Sequence, residues 1–474
     1  MPPRPPLFIL ANSSSCRVLD RFSDLPGDVP AQEDEEGRIP FWPLLQHLLC
    51  LPVSTVPQLI DRLQTIAANA GTGQVNDYGS LKNILESQDE IKLFGTTWPN
   101  MRDIALQLPT YFPSGQLELL RTGLPLHLSR GQVACLVVHQ FLCSFTPQRD
   151  DEGYQDLSIW YSSEQRHPAA ADMYLKVLLA YFESLPRADA LMQDYIAVSG
   201  RIGNCVTYQL YQKVEEVSLE DVKMTLVNVR YLDAHTTDAH HPQIQGSGGA
   251  VVVSANKVIG FGQSATQEEI FVGIAPEAYP VVFVAPHLEE NTVVTVSGAR
   301  AMADVKGQRR EIEWKLRPAP SAAENIEIWK KGWQGGRLVF MDALEMDMLE
   351  GSTEGSLPDL LSENIDREIC KAVVGFESFE GDAVFAGLWG CGAFGGDPGV
   401  KLIVLWIAAA TAGVVLHLVL GPGEHDLGRA FERAVTVSDG MPAKSLRKML
   451  SRVPRTLRRE GILEWIEEAV SGAR

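Results

Sequence analysis

The chain has 474 residues. At about 100–200 residues per domain that allows two to four domains, and two is the economical reading. Apolar residues at 45% and charged residues at 21% are ordinary globular values and exclude a wholly disordered or fibrous protein. A formal net charge of −19 excludes nucleic-acid binding through a broad basic surface, so an anionic ligand would have to be met by a local site.

At the N-terminus, the apolar run from Leu7 to Ala11 is too short for the core of a signal peptide. Residues 1–38 are rich in Pro, Ser and acid and end in QEDEEG, and are expected to form a loose arm. From 39 to 195 the periodicity is helical. Val56, Leu59, Ile60, Leu63 and Ile66 share one face, and Gly71 is placed to stop that helix. Ser129 and Gln132 make a capping-box pattern before Val133, Leu136, Val137 and Phe141. Pro168 suits the first turn of a third helix, PAAADMYLKVLLAYFESL.

From 196 to 474 the texture changes to short β-rich runs. These are AVVVS (250–254), VVFVA (281–285), TVVTVS (292–297), RLVFMDA (337–343), DAVFAGLWG (382–390) and VVLHLVL (414–420). Helical stretches such as 362–376 separate several of them. Near-continuous apolar strands alternating with helices predict an α/β domain whose mixed, largely parallel sheet is buried on both faces. The apolar stretch Leu402–Leu420 is long enough to suggest a membrane span. It reads better as a buried helix, a terminating Gly413 and a buried strand. Seven scattered cysteines with no CxxC pair predict free thiols in a reducing compartment.

Open α/β sheets bind ligands beyond the carboxyl ends of their strands, so the loops after the β-rich runs are the places to search. Two of them carry glycines. After AVVVS come Ala255, Asn256, then Gly260-Phe261-Gly262, four further residues and Gln267-Glu268-Glu269. The glycines there are expected to supply positive φ and close backbone approach. The adjacent carboxylates are ordinary residues for the start of a helix. After DAVFAG come Gly390, Cys391, Gly392, Ala393, Phe394, Gly395 and Gly396. Such a loop between strand and helix is either a tight turn or an anion cradle made of backbone N–H groups and a helix N-terminus. No GK[ST] follows it, so it is no Walker A loop.

Taken together these residues resemble the poly(ADP-ribose) glycohydrolase family. The spacing of Gly260-Phe261-Gly262 to Gln267-Glu268-Glu269, the Ala255-Asn256 before it and WGCGAFGGD at Trp389–Asp397 carry the resemblance. LVFMDAL (338–344), DREICKAVVGF (366–376) and LSRGQVACLVVHQFLCSF (128–145) are similar to family segments in the right order. The resemblance implies a macrodomain behind an N-terminal helical accessory domain. It implies hydrolysis of ribose–ribose O-glycosidic bonds in poly(ADP-ribose), releasing ADP-ribose. Carried over by position, Glu269 is the catalytic acid/base, and Glu268 and Asn256 contact the ribose being cleaved. Gly260, Phe261, Gly262 and Gln267 line the substrate site. Gly390, Cys391, Gly392, Ala393, Gly395 and Gly396 form the diphosphate loop, with Phe394 beside the distal ribose. No metal and no cofactor is implied. The implied partners are poly(ADP-ribose), poly(ADP-ribosyl)ated proteins and the product ADP-ribose, in the DNA damage response. No sequence-specific nucleic acid, no membrane and a monomer are expected, in nucleus and/or cytoplasm.

The chemistry is consistent with those roles. An oxocarbenium-like transition state needs a proton donor at the leaving oxygen, and burial beside a second carboxylate keeps a carboxylic acid protonated. The sequence departs from the family pattern in four places. Phe261 interrupts the glycines, the spacer before Gln267 is short, and Val253 stands where the family has an aspartate. No aromatic residue between Gly298 and Arg310 replaces a ligand-clasping tyrosine, Gln308 being nearest. The last two departures motivate the alternative of a polymer-binding macrodomain with little or no catalysis. A structural scaffold leaves both glycine loops unexplained. The basic run Lys444–Arg459 reads as a solvated face, and His235, His240 and His241 as a polar loop. His417 reads as a satisfied core histidine, and Trp389 and Trp406 as packing residues.

Overall fold

The computed structural model describes residues 7–27, 33–72, 77–146, 156–198, 205–225, 227–231, 249–318, 336–346, 348 and 357–472, with side chains from 194 to 198 and at 422 left aside. In chain order its strands are β1 (Leu7–Ile9), β2 (Arg17–Val18), β3 (Ile39–Pro40), β4 (Gln116–Glu118), β5 (Leu126–Ser129), β6 (Cys205–Gln212) and β7 (Asn228–Tyr231). There follow β8 (Ala250–Ala255), β9 (Thr292–Ser297), β10 (Ala303–Lys306), β11 (Glu313–Leu316), β12 (Arg337–Asp342), β13 (Ala383–Ala386) and β14 (Val415–Leu420). Eight of these make one sheet in the order β5-β6-β9-β12-β8-β13-β14-β7. Every pair from β12 to β7 is parallel, and β9, β6 and β5 extend the sheet antiparallel. This is the mixed, largely parallel sheet expected.

Both faces of the sheet are covered, and the strand alternation shows how. On β8, Val251, Val253 and Ala255 point into a core shared with the N-terminal helices, while Ala250 and Val252 point into a second core. Leu338 and Phe340 on β12 join the first core, and Val339 and Met341 the second. Each such fully buried Val, Leu or Phe contributes about 1.5–3 kcal/mol. The second core is closed by the helices Ser362–Glu377 and Pro398–Ala412, which pack on each other.

The helix signals in the sequence act as expected. Thr55 accepts from the Gln58 N–H at the start of Val56–Ala70, and Gly71 closes that helix at φ 73°. Ser129 and Gln132 form the capping box of Arg130–Phe141, and Pro168 opens Pro168–Ser184. The segment Leu402–Leu420 is a buried helix stopped by Gly413 at φ 71°, then β14. No described helix is long and apolar enough to cross a membrane.

Two expectations fail. Residues 7–18 of the supposed loose arm are packed, while 19–27 stay exposed or half-buried. β1 pairs with β4, Leu10 is fully buried, and Phe8 meets Phe145 and Phe283 with ring centroids 5.4 and 4.8 Å apart. The apolar residues Leu7–Leu10 outweigh the polar composition around them. The run VVFVA is not a strand but the short helix Val281–Val284. It continues from the helical turn Pro276–Ala278, where Pro276 and then Pro280 preset helical φ, and it is wholly buried. Packing there overrides β propensity. The helical half also enters the sheet itself, since β5 pairs with β6 at one edge.

Candidate active site

β8 ends at Ala255, and the next residues begin the first glycine loop. The loop returns into the helix Gln267–Gly273, which packs against β8 and places both carboxylates in its first turn. Gln267 ties the loop to the sheet, its Oε1 accepting the Ser254 N–H at 2.9 Å.

Glu268 is 1% exposed. Its Oε2 accepts from the Asn256 N–H at 2.5 Å and from Asn256 Nδ2 at 3.2 Å, and its Oε1 accepts from the Gly260 N–H at 3.0 Å. Burial and, next, the neighbouring Glu269 charge push its carboxyl up to about 8, against the pull of those N–H donors. Glu268 therefore keeps a proton near neutral pH. Two carboxylate oxygens offer about four acceptor sites, and three are taken at Glu268 by the chain. Glu268 thus clamps the loop.

Glu269 is 4% exposed and is the third residue of a capping box with Thr266. Its Oε2 accepts the Thr266 N–H at 3.0 Å and the Thr266 hydroxyl, and its Oε1 accepts the Ser264 hydroxyl. A hydroxyl can donate to a carboxylate or accept from a carboxylic acid. The two hydroxyl partners of Glu269 can therefore serve either protonation state, whereas the N–H partners of Glu268 can only donate.

The glycines of this loop do not play the part expected of them. Neither Gly260 nor Gly262 has positive φ; Ala265 does, at 49°. Gly262 is needed for space, because a Cβ there would lie 2.6 Å from Glu269 Oε1. Phe261 does not face the cleft. It is 4% exposed, edge-on to Trp160 and Tyr279 with ring centroids at 5.1 and 5.3 Å. Trp160 also donates from Nε1 to the Gly262 carbonyl at 2.8 Å, so the helical half holds the loop in place. Val253 is fully buried in the first core, a packing position. Asn256 is exposed at the cleft.

The second glycine loop, 387–397, follows β13, the parallel neighbour of β8, so both loops open at the same end of the sheet. Trp389 anchors it from inside, fully buried, with Nε1 donating to the Met341 carbonyl at 3.0 Å. Gly390 and Gly395 take φ of 73° and 67°. Cys391, Gly395 and Gly396 donate their N–H groups within the loop. The N–H groups of Gly392, Ala393 and Phe394 take no partner among the described residues, and these three residues lie partly or fully exposed. Three successive open N–H groups are able to receive an anion. Gly392 itself has no positive φ and its missing side chain faces open space. The helix N-terminus adds less than expected, because Asp397 caps it, accepting from the Gly399 and Val400 N–H groups at 2.8 and 3.4 Å. Beneath the loop Lys401 is 1% exposed, ion-paired with Glu368, and lies 4.9 Å from the Trp389 ring centroid. Burial pushes its ammonium down to about 7. A Cβ on Gly396 would come within 2.5 Å of Lys401 Cε.

Two family models match the chain. One, the poly(ADP-ribose) glycohydrolase helical domain, covers residues 85–199, and the other, the macro domain fold of the same family, covers 220–421. The chain belongs to the poly(ADP-ribose) glycohydrolase family. It is 31% identical over 173 residues to poly(ADP-ribose) glycohydrolase 1 of Caenorhabditis elegans, covering 34% of this chain and 22% of that one. It is 28% identical over 194 residues to poly(ADP-ribose) glycohydrolase 2 of the same organism, covering 39% of each. The chain thus spans well under half the length of either relative. The glycohydrolase of Thermomonospora curvata overlaps 60% of this chain and 99% of its own, at 15% identity and a TM-score of 0.32.

The structure therefore gathers Asn256, Gly260, Gly262, Gln267, Glu268, Glu269 and the loop Gly390–Gly396 at one end of the sheet, and turns Phe261 away. Sequence reasoning missed Ser264, Thr266 and Trp160. The Thr266–Glu269 spacing is a capping-box signature that was legible; the reach of Trp160 across the fold was not. His235, His240 and His241 lie outside the described residues, and the described ones hold no group of metal-ligating side chains. His417 stacks on Phe385 at 4.6 Å, but its Nδ1 has no partner among the described residues.

Proposed function

We propose that this chain hydrolyses the ribose–ribose O-glycosidic bonds of poly(ADP-ribose) and releases ADP-ribose. The observation that carries this reading is Glu269, nearly buried and held by two reversible hydroxyl partners, at the same sheet end as three open N–H groups. The cradle Gly392–Phe394 takes the diphosphate of the terminal unit. Asn256 and the one remaining acceptor site of Glu268 hold hydroxyls of its ribose.

Glu269 in its acid form gives its proton to the leaving ribose oxygen as the anomeric C–O bond breaks. An oxocarbenium-like centre develops on the terminal ribose. The Glu269 carboxylate then takes a proton from water while the water oxygen bonds to the anomeric carbon. Ser264 and Thr266 follow the charge by turning their hydroxyls, so no partner is left unmet in either state. Every step needs only this chain's residues, the polymer and water.

A protein-linked terminal unit is held by a different bond, with a bulky acceptor behind it, so trimming is expected to stop there. The seven free cysteines support a reducing compartment, nucleus and/or cytoplasm. The test is to incubate the protein with labelled poly(ADP-ribose) on a modified acceptor and resolve the products. Free ADP-ribose with mono-ADP-ribosylated acceptor left behind is the expected outcome. Polymer bound but uncut would make the chain a binder instead, and a bare acceptor would widen the substrate range.

A further inference from the structure

β10 and β11 form a hairpin apart from the main sheet, paired from Ala303 with Leu316 to Lys306 with Glu313. The hairpin leans on the helix Pro168–Ser184, where Lys176 Nζ lies 5.9 Å from the Trp314 ring centroid. From Lys176 back to His167 is about 13 Å at a helical rise of 1.5 Å per residue. From Trp314 back to Arg310 is about 13 Å at a strand rise of 3.3 Å. The two spans are equal, and the charges of Arg309 and Arg310 reach the His167 imidazole, so hairpin tip and helix start lie close together. The tip is also pinned to the Glu269 loop, because the Arg309 N–H donates to the Ala265 carbonyl at 3.0 Å. Both residues of that contact hold positive φ, 56° and 49°.

This junction carries Arg166, Arg309 and Arg310, all exposed and none ion-paired among the described residues. His167 sits among them with its Nδ1 buried and without a partner among the described residues. Burial first, then the charges of Arg166, Arg310 and Arg309, hold its imidazole below the ordinary value, with Glu269 pulling the other way. The larger basic run near the C-terminus is partly neutralised, Lys444 pairing with Glu220, Arg447 with Asp366 and Arg459 with Glu424, while Lys448, Arg452 and Arg455 are exposed and not ion-paired among the described residues. A chain of net charge −19 repels a polyanion at long range, so unpaired arginines beside the cleft are where attraction is concentrated.

We infer that Arg166, Arg309 and Arg310 form a subsite for the diphosphate of the ADP-ribose unit adjoining the one released. This rests on the function proposed above. The terminal diphosphate has its own cradle beyond β13, whereas the arginines border the spacer that leads to Glu269, on the side of the helical half. The bond to be cut lies between, so the unit across it is the one they meet. Arginine suits the task, since its planar fork binds phosphate oxygens in pairs.

The test is the double variant Arg309→Asn, Arg310→Gln, chosen because asparagine tolerates the positive φ at 309. For long polymer, KM should rise at least about tenfold with kcat within about twofold, and calorimetric affinity for free ADP-ribose should not change. The slope of log KM against log salt should fall by about 1.4, at about 0.7 per lost phosphate contact on a single strand. Unchanged KM and slope would overturn the subsite. An equal loss of ADP-ribose affinity would overturn it by placing the arginines on the terminal unit, and a fall in kcat alone by making them supports of the spacer. Polymer anisotropy on the same two proteins separates this inference from the activity itself. If the unaltered chain cuts nothing yet binds polymer in an arginine-dependent way, the function fails and the subsite stands. Full displacement of polymer by single-stranded RNA of equal charge would overturn the assignment to this polymer.

Discussion

The two glycine loops open at the same end of one sheet and solve opposite problems. The loop after β8 fills most of its acceptor sites: Glu268 takes three N–H groups, and Glu269 takes an N–H and two hydroxyls. The loop after β13 leaves donors open, with Gly392, Ala393 and Phe394 offering N–H groups to no one among the described residues. In the function proposed, a proton-transfer group must be held still and kept from water, so its surroundings are crowded with partners. A phosphate cradle in that function must receive charge from outside, so its donors wait. Glycine serves both ends for different reasons. At Gly262 it makes room for the Glu269 carboxyl, and at Gly390 and Gly395 it allows left-handed backbone.

That contrast breaks most sharply at Glu269→Gln. Glutamine keeps the capping box, so the fold should survive while proton transfer is lost, costing about 10²–10⁴ in kcat. ADP-ribose affinity by calorimetry should stay the same; full turnover in this variant would take the acid role away from Glu269. Next in size is Gly262→Ala, where the new Cβ would lie 2.6 Å from Glu269 Oε1 and push the carboxyl aside. A displacement near 1 Å costs about 10² in rate, so kcat should fall by about that factor with little change in ADP-ribose binding. Loss of binding with normal kcat would reverse the roles of the two loops.

On the other side, Gly395→Val forces a β-branched residue to φ 67°. Strain of about 1–3 kcal/mol should weaken ADP-ribose by about tenfold or more without touching Glu269. Gly392→Ala is the internal control, since that residue has neither positive φ nor a neighbour within 4 Å. Its melting temperature should match the parent's, and a large drop there would mean the loop is more constrained than its geometry shows.

The last effect is on stability. A carboxyl raised to about 8 in the folded chain holds its proton more tightly than when unfolded. Its contribution to stability is full below the ordinary carboxyl value and is lost as pH rises to about 8. Thermal melts between pH 5 and 9 should show this decline, and Glu268→Gln should flatten it whatever its own melting temperature. An identical slope in the variant would assign the decline to other groups.

Much of this was legible in residue order. The strand runs, the stops at Gly71 and Gly413, the capping boxes and the Gln267-Glu268-Glu269 motif all depend on neighbours within a few positions, where local chemistry decides. The failures came where distant contacts outvoted local ones. Val281–Val284 has strand propensity but is held as a helix by its prolines and its buried setting. Leu7–Leu10 sits in a polar composition but finds β4, Phe145 and Phe283. At the site, the spacing to Glu269 was visible, but Phe261 turns into the core because Trp160 and Tyr279 wait there.

Residue order alone thus settled which groups are available: two adjacent carboxylates, two glycine loops and a parallel sheet to carry them. Tertiary structure settled what each one faces. Glu268 is walled in by N–H donors and Glu269 by hydroxyls, although they are neighbours in the chain. Arg309 reaches Ala265 across 44 positions of sequence because the hairpin lies along a helix from the other half of the molecule. Side-chain direction and long-range packing depend on burial against residues far away in the chain, and no local pattern encodes them.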